Sequence, residues 1–366
     1  MRDIFVVGSA RADAGNTARG AIETGRGADG RVREIPVLVC HGAEAGPSLW
    51  INGATHGDEP EGAFSIFRLF AQLDPAKVAG TVVGVPAMNV PAFEAGKRGD
   101  PLDTFSYDMN RLYPGGPDGY PTERAAWAHW VAMKDACDLQ IAIHSGGEHS
   151  YLAHMIFAAD NPSSLELAAA MGPPWDLVFR SGVGGNNPAS KMAELGKSGI
   201  TVELGGNCRT LTSDFHAVAN DLADGYLNVM RHYAMIEGDA GYAPEWRMGH
   251  QQALLAPASG MWVGSPDVVF EQPLSRGTAL GRVGGIANRR GVRGRSPSTA
   301  RAPAPPPRRR TRLTVARSAP GSGSRAGMID ARSGRSRRAT PACPRRTPCR
   351  WDTTSGSACR WRPHRG

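Results

Sequence analysis

The sequence predicts an α/β protein whose central sheet is covered by helices, followed by a small β module and a disordered Arg/Pro-rich tail. Three observations carry that prediction. Short apolar strands alternate with amphipathic helices up to about residue 240. Brief runs broken by Gly and Pro replace them over 241–288. From Arg289 onward, Arg occurs without Lys and aliphatic residues become scarce. The expected organisation is therefore an α/β domain at 1–240, an incomplete β domain at 241–288 and a tail at 289–366.

Ser48–Thr55 (SLWINGAT) reads as a strand ending in a turn. Glu59–Leu73 follows as a helix. Its residues Ala63, Ile66, Phe67, Phe70 and Leu73 recur at three- and four-residue steps, which marks one buried face. Pro60 suits the first helical turn, where its missing N–H is not needed. Thr81–Met88 is a second strand, and Asn89–Gly116 is a long loop of little regular pattern. Thr122–Ala136 reads as a helix with Trp127, Trp130 and Val131 on one side. Leu139–His144 (LQIAIH) and Ile200–Leu204 (ITVEL) are short apolar strands. Asp214–His232 is a long helix with Phe215, Val218, Leu222, Tyr226 and Val229 as its core stripe. Apolar strands separated by helices imply a sheet buried on both faces. Leu254–Val283 reads as a small all-β module that breaks off near Gly285.

The formal charge of +8 joins two unlike polymers. Residues 289–366 hold 21 Arg, no Lys and two acidic residues, hence +19, while the first 288 residues carry −11. With ten Pro and only four Ile, Leu or Val, the tail cannot bury enough apolar surface to offset its ordering entropy. A basic nucleic-acid-binding tail is one explanation. A shifted reading frame in a GC-rich gene is the other, and it better fits Arg without Lys and a β pattern that stops midway. No apolar run reaches the roughly 18 residues of a membrane helix, and the N-terminus lacks a signal-like apolar segment. A soluble, cytoplasmic protein is expected. The six Cys show no CxxC spacing, so neither a thiolate metal site nor a disulfide framework is indicated.

His56 and Glu59 sit in THGDEPEG, where a strand passes into a helix. Catalytic zinc takes three His or carboxylate ligands and leaves a fourth position open. A three-residue spacing across a turn lets both side chains face one point. Gly57 fits a tight turn there, and Asp58 is placed to orient a ligand. His144 ends the strand LQIAIH, where α/β proteins set their sites. Alone, it reads first as a core histidine satisfied by hydrogen bonds; with His56 and Glu59 at the end of another strand, it reads as a ligand. Glu203 lies between Val202 and Leu204, and alternation turns it to the opposite face from both. A carboxylate so placed is a salt-bridged strand end or a general base acting on water. Arg98, Asn110 and Arg111 lie in the long loop, as residues that grip a carboxylate or a developing oxyanion commonly do. Lys97 reads as a solvated charge.

Together these pieces resemble the succinylglutamate desuccinylase/aspartoacylase family, a branch of the zinc carboxypeptidase superfamily. The resemblance spans roughly residues 15–285. It runs in order through NGATHGDEPEG, the run from Asn89 through Arg98 to DMNRLYPG, DLQIAIHSGG and ITVELGG. It implies a mixed sheet of the carboxypeptidase kind plus a C-terminal β domain bordering the active-site entrance. It implies one zinc ion per chain on His56, Glu59 and His144, with Glu203 as general acid/base. Arg98 would polarise the scissile carbonyl, and Asn110 and Arg111 would bind substrate, with Arg111 on its carboxylate. Ile143 stands where many members have Asp, and the β domain is cut short. His149, His154, His216 and His232 match no family motif.

The resulting expectation is a zinc-dependent deacylase that hydrolyses the amide of a small N-acyl amino acid bearing a carboxylate. A metallocarboxypeptidase acting on peptides is the alternative with the same ligands. A nucleic-acid binder using the Arg tail, and a frame-disrupted product without activity, stand behind these. Assembly into a homo-oligomer is left open, and no membrane partner is expected.

Overall fold

The computed structural model describes residues 2–181, 184–206, 213–249, 255–256, 259–269, 273–275, 277–284, 299–301 and 358–359. The chain divides into two compact units, one of Met1–Gln252 with Arg350–Pro363 and one of Ala253–Cys349 with His364–Gly366.

The first unit opens with an antiparallel pair, β1 (Phe5–Val7) and β2 (Ala10–Ala12). A long antiparallel hairpin follows, β3 (Asn16–Arg26) and β4 (Val32–His41). Then come β5 (Glu44–Asn52), α1 (Glu61–Phe70), β6 (Ala79–Val85) and the short α2 (Val90–Ala95). After these run α3 (Pro121–Met133), β7 (Leu139–His144), β8 (Tyr151–Ala159) and α4 (Pro162–Ala170). The unit continues with β9 (Leu177–Ser181), α5 (Pro188–Glu194), β10 (Ser198–Gly206), α6 (Ser213–His232) and β11 (Trp246–Gly249). In the second unit β12 (Met261–Gly264), β13 (Ala279–Gly284) and β14 (Thr299–Arg301) form an antiparallel three-stranded sheet. The last strand, β15 (Ala358–Cys359), belongs to the first unit. Apart from β14 and β15, the tail expected at 289–366 lies outside the described residues.

Ten strands make the main sheet, in the order β15-β11-β9-β8-β10-β7-β5-β6-β4-β3. Its centre, β10-β7-β5-β6, is parallel, while β8, β4 and β3 join antiparallel, so the sheet is mixed as expected. Alternation along each central strand divides the core in two. Leu49, Ile51, Ile141, Ile143, Ile200, Val202 and Leu204 face one cluster, shared with Ile66 and Leu69 of α1 and Leu222, Tyr226 and Val229 of α6. Trp50 turns the other way, to a cluster with Trp130 and Met133 of α3. Period-two alternation therefore carries His144 and Glu203 away from the α1/α6 face.

Several helices were legible but misaligned by a residue or two in facing. α1 buries Ala63, Ile66 and Leu69, yet Phe67 is 52% exposed, because the buried arc is narrower than the run of apolar residues. On α3 it is His129, not Val131, that turns inward with Ala126, Trp130 and Met133. The region expected as loop from Asn89 begins with α2, which Asn89 caps by accepting the Ala92 N–H, and holds a 3-10 turn at Met109–Arg111. Among the described residues, no helix is long and apolar enough to cross a membrane.

Candidate metal centre

The site forms where β5, β7 and β10 end side by side. Beyond β5 the chain turns through Ala54, a buried non-glycine residue at φ 46°, a left-handed conformation that costs an L-residue about 1–2 kcal/mol. His56, Asp58 and Glu59 follow, all buried. Gly57 is required by proximity rather than by its torsions: a Cβ there would lie 2.0 Å from the Ala92 backbone carbon of α2.

Glu59 is the hub. Its Oε1 stands 2.7 Å from His56 Nδ1 and its Oε2 stands 2.8 Å from His144 Nδ1. The two Nδ1 atoms are 3.1 Å apart. Ser145 donates its backbone N–H to Glu59 Oε2, and Arg98 Nη1 lies 3.6 Å from Oε1. His56, Glu59 and His144 thus offer ligand atoms all within 4.8 Å of one another. Two imidazole nitrogens facing each other across a carboxylate suit a cation better than one another. With Zn–N bonds of about 2.0–2.1 Å, tetrahedral geometry separates two such nitrogens by about 3.3 Å. The donor set, two His and one carboxylate, is one that zinc favours, so the residues present can hold a metal ion.

Asp108, which the sequence reading missed, supports this cluster. Its Oδ1 accepts from His56 Nε2 at 3.0 Å and from the Asn110 N–H, and its Oδ2 accepts from Arg98 Nη2 at 3.1 Å. A carboxylate on the far ring nitrogen fixes the tautomer and raises ligand basicity. Burial pulls the His56 pKa down, but hydrogen bonds from Asp108 and Glu59 outweigh it and carry the ring up to about 9. For Glu59 burial works upward, and the charge and hydrogen bond of His144, with those of His56, overcome it to bring the carboxyl to about 2. Asp58 does not orient a ligand as expected. Its Oδ2 accepts the Glu148 N–H at 3.0 Å, tying the His56 loop to the loop after His144. His144 Nε2 is buried and has no hydrogen-bond partner among the described residues. Ile143, standing before it, offers none.

Glu203 pairs with His144 in the parallel register of β10 and β7, so the two side chains share a face. Burial pushes its carboxyl up to about 7, opposed by the charge of His144 and reinforced by that of Glu59. Val202 and Leu204 are fully buried on the other face, as alternation required. Asn110 and Arg111 lie on the 3-10 turn that Asp108 caps, two and three residues past the contact to His56. Arg111 is exposed, and its guanidinium donates to the Asn110 carbonyl at 3.1 Å. The remaining histidines stand elsewhere: His154 meets Asp221, His216 meets Arg68, His232 meets Glu166 and Tyr242, and the His149 side chain is exposed. Lys97 pairs at the surface with Glu148.

Comparison with known proteins joins this geometry to a family. The sequence pattern of the succinylglutamate desuccinylase/aspartoacylase catalytic domain matches residues 45–233. The chain is 30% identical over 262 residues to N-alpha-acetyl-L-2,4-diaminobutyric acid deacetylase from Halomonas elongata, covering 68% of this chain and 73% of that one. Among solved structures, a succinylglutamate desuccinylase from Silicibacter sp. TM1040 superposes with a TM-score of 0.67 at 25% identity, covering 82% of this chain and 92% of the other. The product-bound ectoine utilization protein EutE (DoeB) from Ruegeria pomeroyi gives 0.64 at 26%, with 80% and 90% covered.

Proposed function

The chain belongs to the succinylglutamate desuccinylase/aspartoacylase family, and on that premise we propose that it is a zinc-dependent deacylase of small N-acyl amino acids. The supporting observation is the meeting of two imidazole nitrogens and a carboxylate beside a carboxyl raised to about 7. Zinc held by His56, Glu59 and His144 would supply Lewis acidity, activating water and polarising the scissile carbonyl. Glu203, one strand across from His144, takes the proton of the attacking water and passes it to the leaving amine nitrogen. Its raised pKa suits both halves of that transfer near neutral pH. Arg98, anchored by Asp108, directs its guanidinium charge to the oxygen that becomes negative during attack. Asp108 holds the tautomer of His56. Asn110 and Arg111 bind the substrate, with Arg111 on its carboxylate.

The deacetylase relative acts on an acetylated diamino acid by name, so N-acetyl amino acids, diamino acids foremost, are the proposed substrates. The test is amine release from a panel of N-acetyl and N-succinyl amino acids and peptides, read beside zinc content. Turnover of acyl amino acids with about one zinc per chain is expected. Cleavage confined to peptides would contradict the deacylase assignment.

A further inference from the structure

Glu61 is a buried carboxyl that the reaction above does not use. It lies in the first turn of α1, two residues past Glu59, and is 3% exposed. No cation pairs with it among the described residues, and the side chain of Ser145, the residue after His144, also hydrogen-bonds its carboxyl. An unpaired carboxyl under apolar strands, beside a second carboxylate, costs stability, so its retention calls for a task. Its contact identifies one. Oε1 accepts the backbone N–H of Gly206 at 2.9 Å, at the very end of β10.

That strand end is unusual. The pairing of β10 with β8 shifts register between Glu203 and Gly205, and Gly205 and Gly206 both have positive φ, 65° and 109°. The ladder is therefore bulged just beyond Glu203 and resumes in a shifted register at Gly205 with Leu152 and Gly206 with Tyr151. Two further bonds brace the bulged end: Gly146 N–H to the Gly205 carbonyl at 3.2 Å, and Gly206 N–H to Glu61. Gly146 lies two residues after His144. The same short span thus ties the strand carrying Glu203 both to the segment that follows His144 and to the helix that starts at Glu61, two residues past Glu59.

We infer that Glu61 is a positioning residue: by holding Gly206 it sets where the Glu203 carboxyl stands relative to His144. The requirement is an acceptor at Oε1, which Gln reproduces, rather than a charge. The effect on turnover rests on the deacylase reading; the effect on the β10 terminus does not.

The experiment compares Glu61→Ala, Glu61→Gln and Glu61→Asp in the full chain. It reads kcat and KM, zinc content, and amide hydrogen exchange across 201–206. Glu61→Ala is expected to lower kcat by about 10–100-fold, the range for groups that act through a neighbour, with KM within about threefold and zinc retained. Exchange across 201–206 should accelerate, while exchange in β5 stays unchanged. Glu61→Gln should recover most of kcat and slow exchange again. Should Glu61→Ala fail to fold, Glu61→Asp carries the test, because its shortened side chain loses Gly206 and should behave as Ala does. Unchanged exchange, or faster exchange with unchanged kcat, overturns the inference, and so does loss of zinc from the Ala variant. If no acyl amino acid is turned over at all, the exchange result alone still decides whether Glu61 holds β10.

Discussion

Two buried imidazoles of this protein meet opposite fates. His129 of α3 is fully buried between neutral partners: Trp50 Nε1–H donates to its Nε2 at 3.0 Å, and its Nδ1 meets the Tyr113 hydroxyl at 3.0 Å. Indole is only a donor, so Nε2 must be a bare acceptor and the ring neutral. Burial alone pulls its pKa down to about 3. His56 is as deeply buried, yet Asp108 and Glu59 carry it up to about 9. Burial thus does not distinguish a structural histidine from a ligand. The partners do, because carboxylates around an imidazole create a place for a cation where neutral donors create only a packed core.

That contrast can be broken most forcefully at the cluster itself. Replacing His56 by Ala should remove zinc and lower kcat/KM by about 10³-fold or more, the scale expected when one member of a concerted set is lost. Replacing His129 by Gln should leave zinc content intact. Equal zinc loss in both variants would erase the distinction. Glu203→Gln comes next: kcat should fall by about 10²–10⁴-fold with zinc retained, since the proposed general base is removed and no proposed ligand is touched. Asp108→Asn keeps the shape of the side chain but removes its charge, and should weaken zinc affinity or activity by about 10–100-fold. A titration with a competing chelator measures this, and an unchanged affinity would show that Asp108 only shapes its loop.

The smallest effect lies in the core, and its sign follows from the lowered pKa. Unfolded, His129 binds a proton below about pH 6.5; folded, it does so only near 3. Between those values the unfolded state holds the extra proton, so stability falls as the solution is acidified through that window. One such proton contributes a slope of about 1.4 kcal/mol per pH unit. Urea unfolding between about pH 4 and 6 should show a shallower dependence in His129→Gln by about that amount. An unaltered slope would mean that His129 is protonated in the folded core.

The same contrast explains what could be read from the sequence. The strand leading to His56, the strand end at His144 and the stripe of α6 were legible because period-two and 3.6-residue patterns report burial directly. Glu203 was legible because a carboxylate between two apolar strand residues violates that pattern. The β3–β4 hairpin was not read, since β3 exposes much of both faces and shows little alternation. Asp108 and Glu61 went unread for a different reason. Each acts on a partner distant in sequence, 52 residues away for His56 and 145 for Gly206, and no local spacing encodes such a meeting. Asp58, beside His56 and Glu59 in sequence, was expected to orient a ligand, whereas it is Asp108 that meets His56 in space.

The central claim is that one zinc ion sits among His56 Nδ1, His144 Nδ1 and the Glu59 carboxylate. Anomalous diffraction from crystals of the zinc-loaded chain, recorded on both sides of the zinc absorption edge, tests it most directly. A single strong peak within bonding distance of those three groups, lost in His144→Ala, is the result predicted. A peak seated on other residues, or one that persists undiminished without the His144 imidazole, would contradict it.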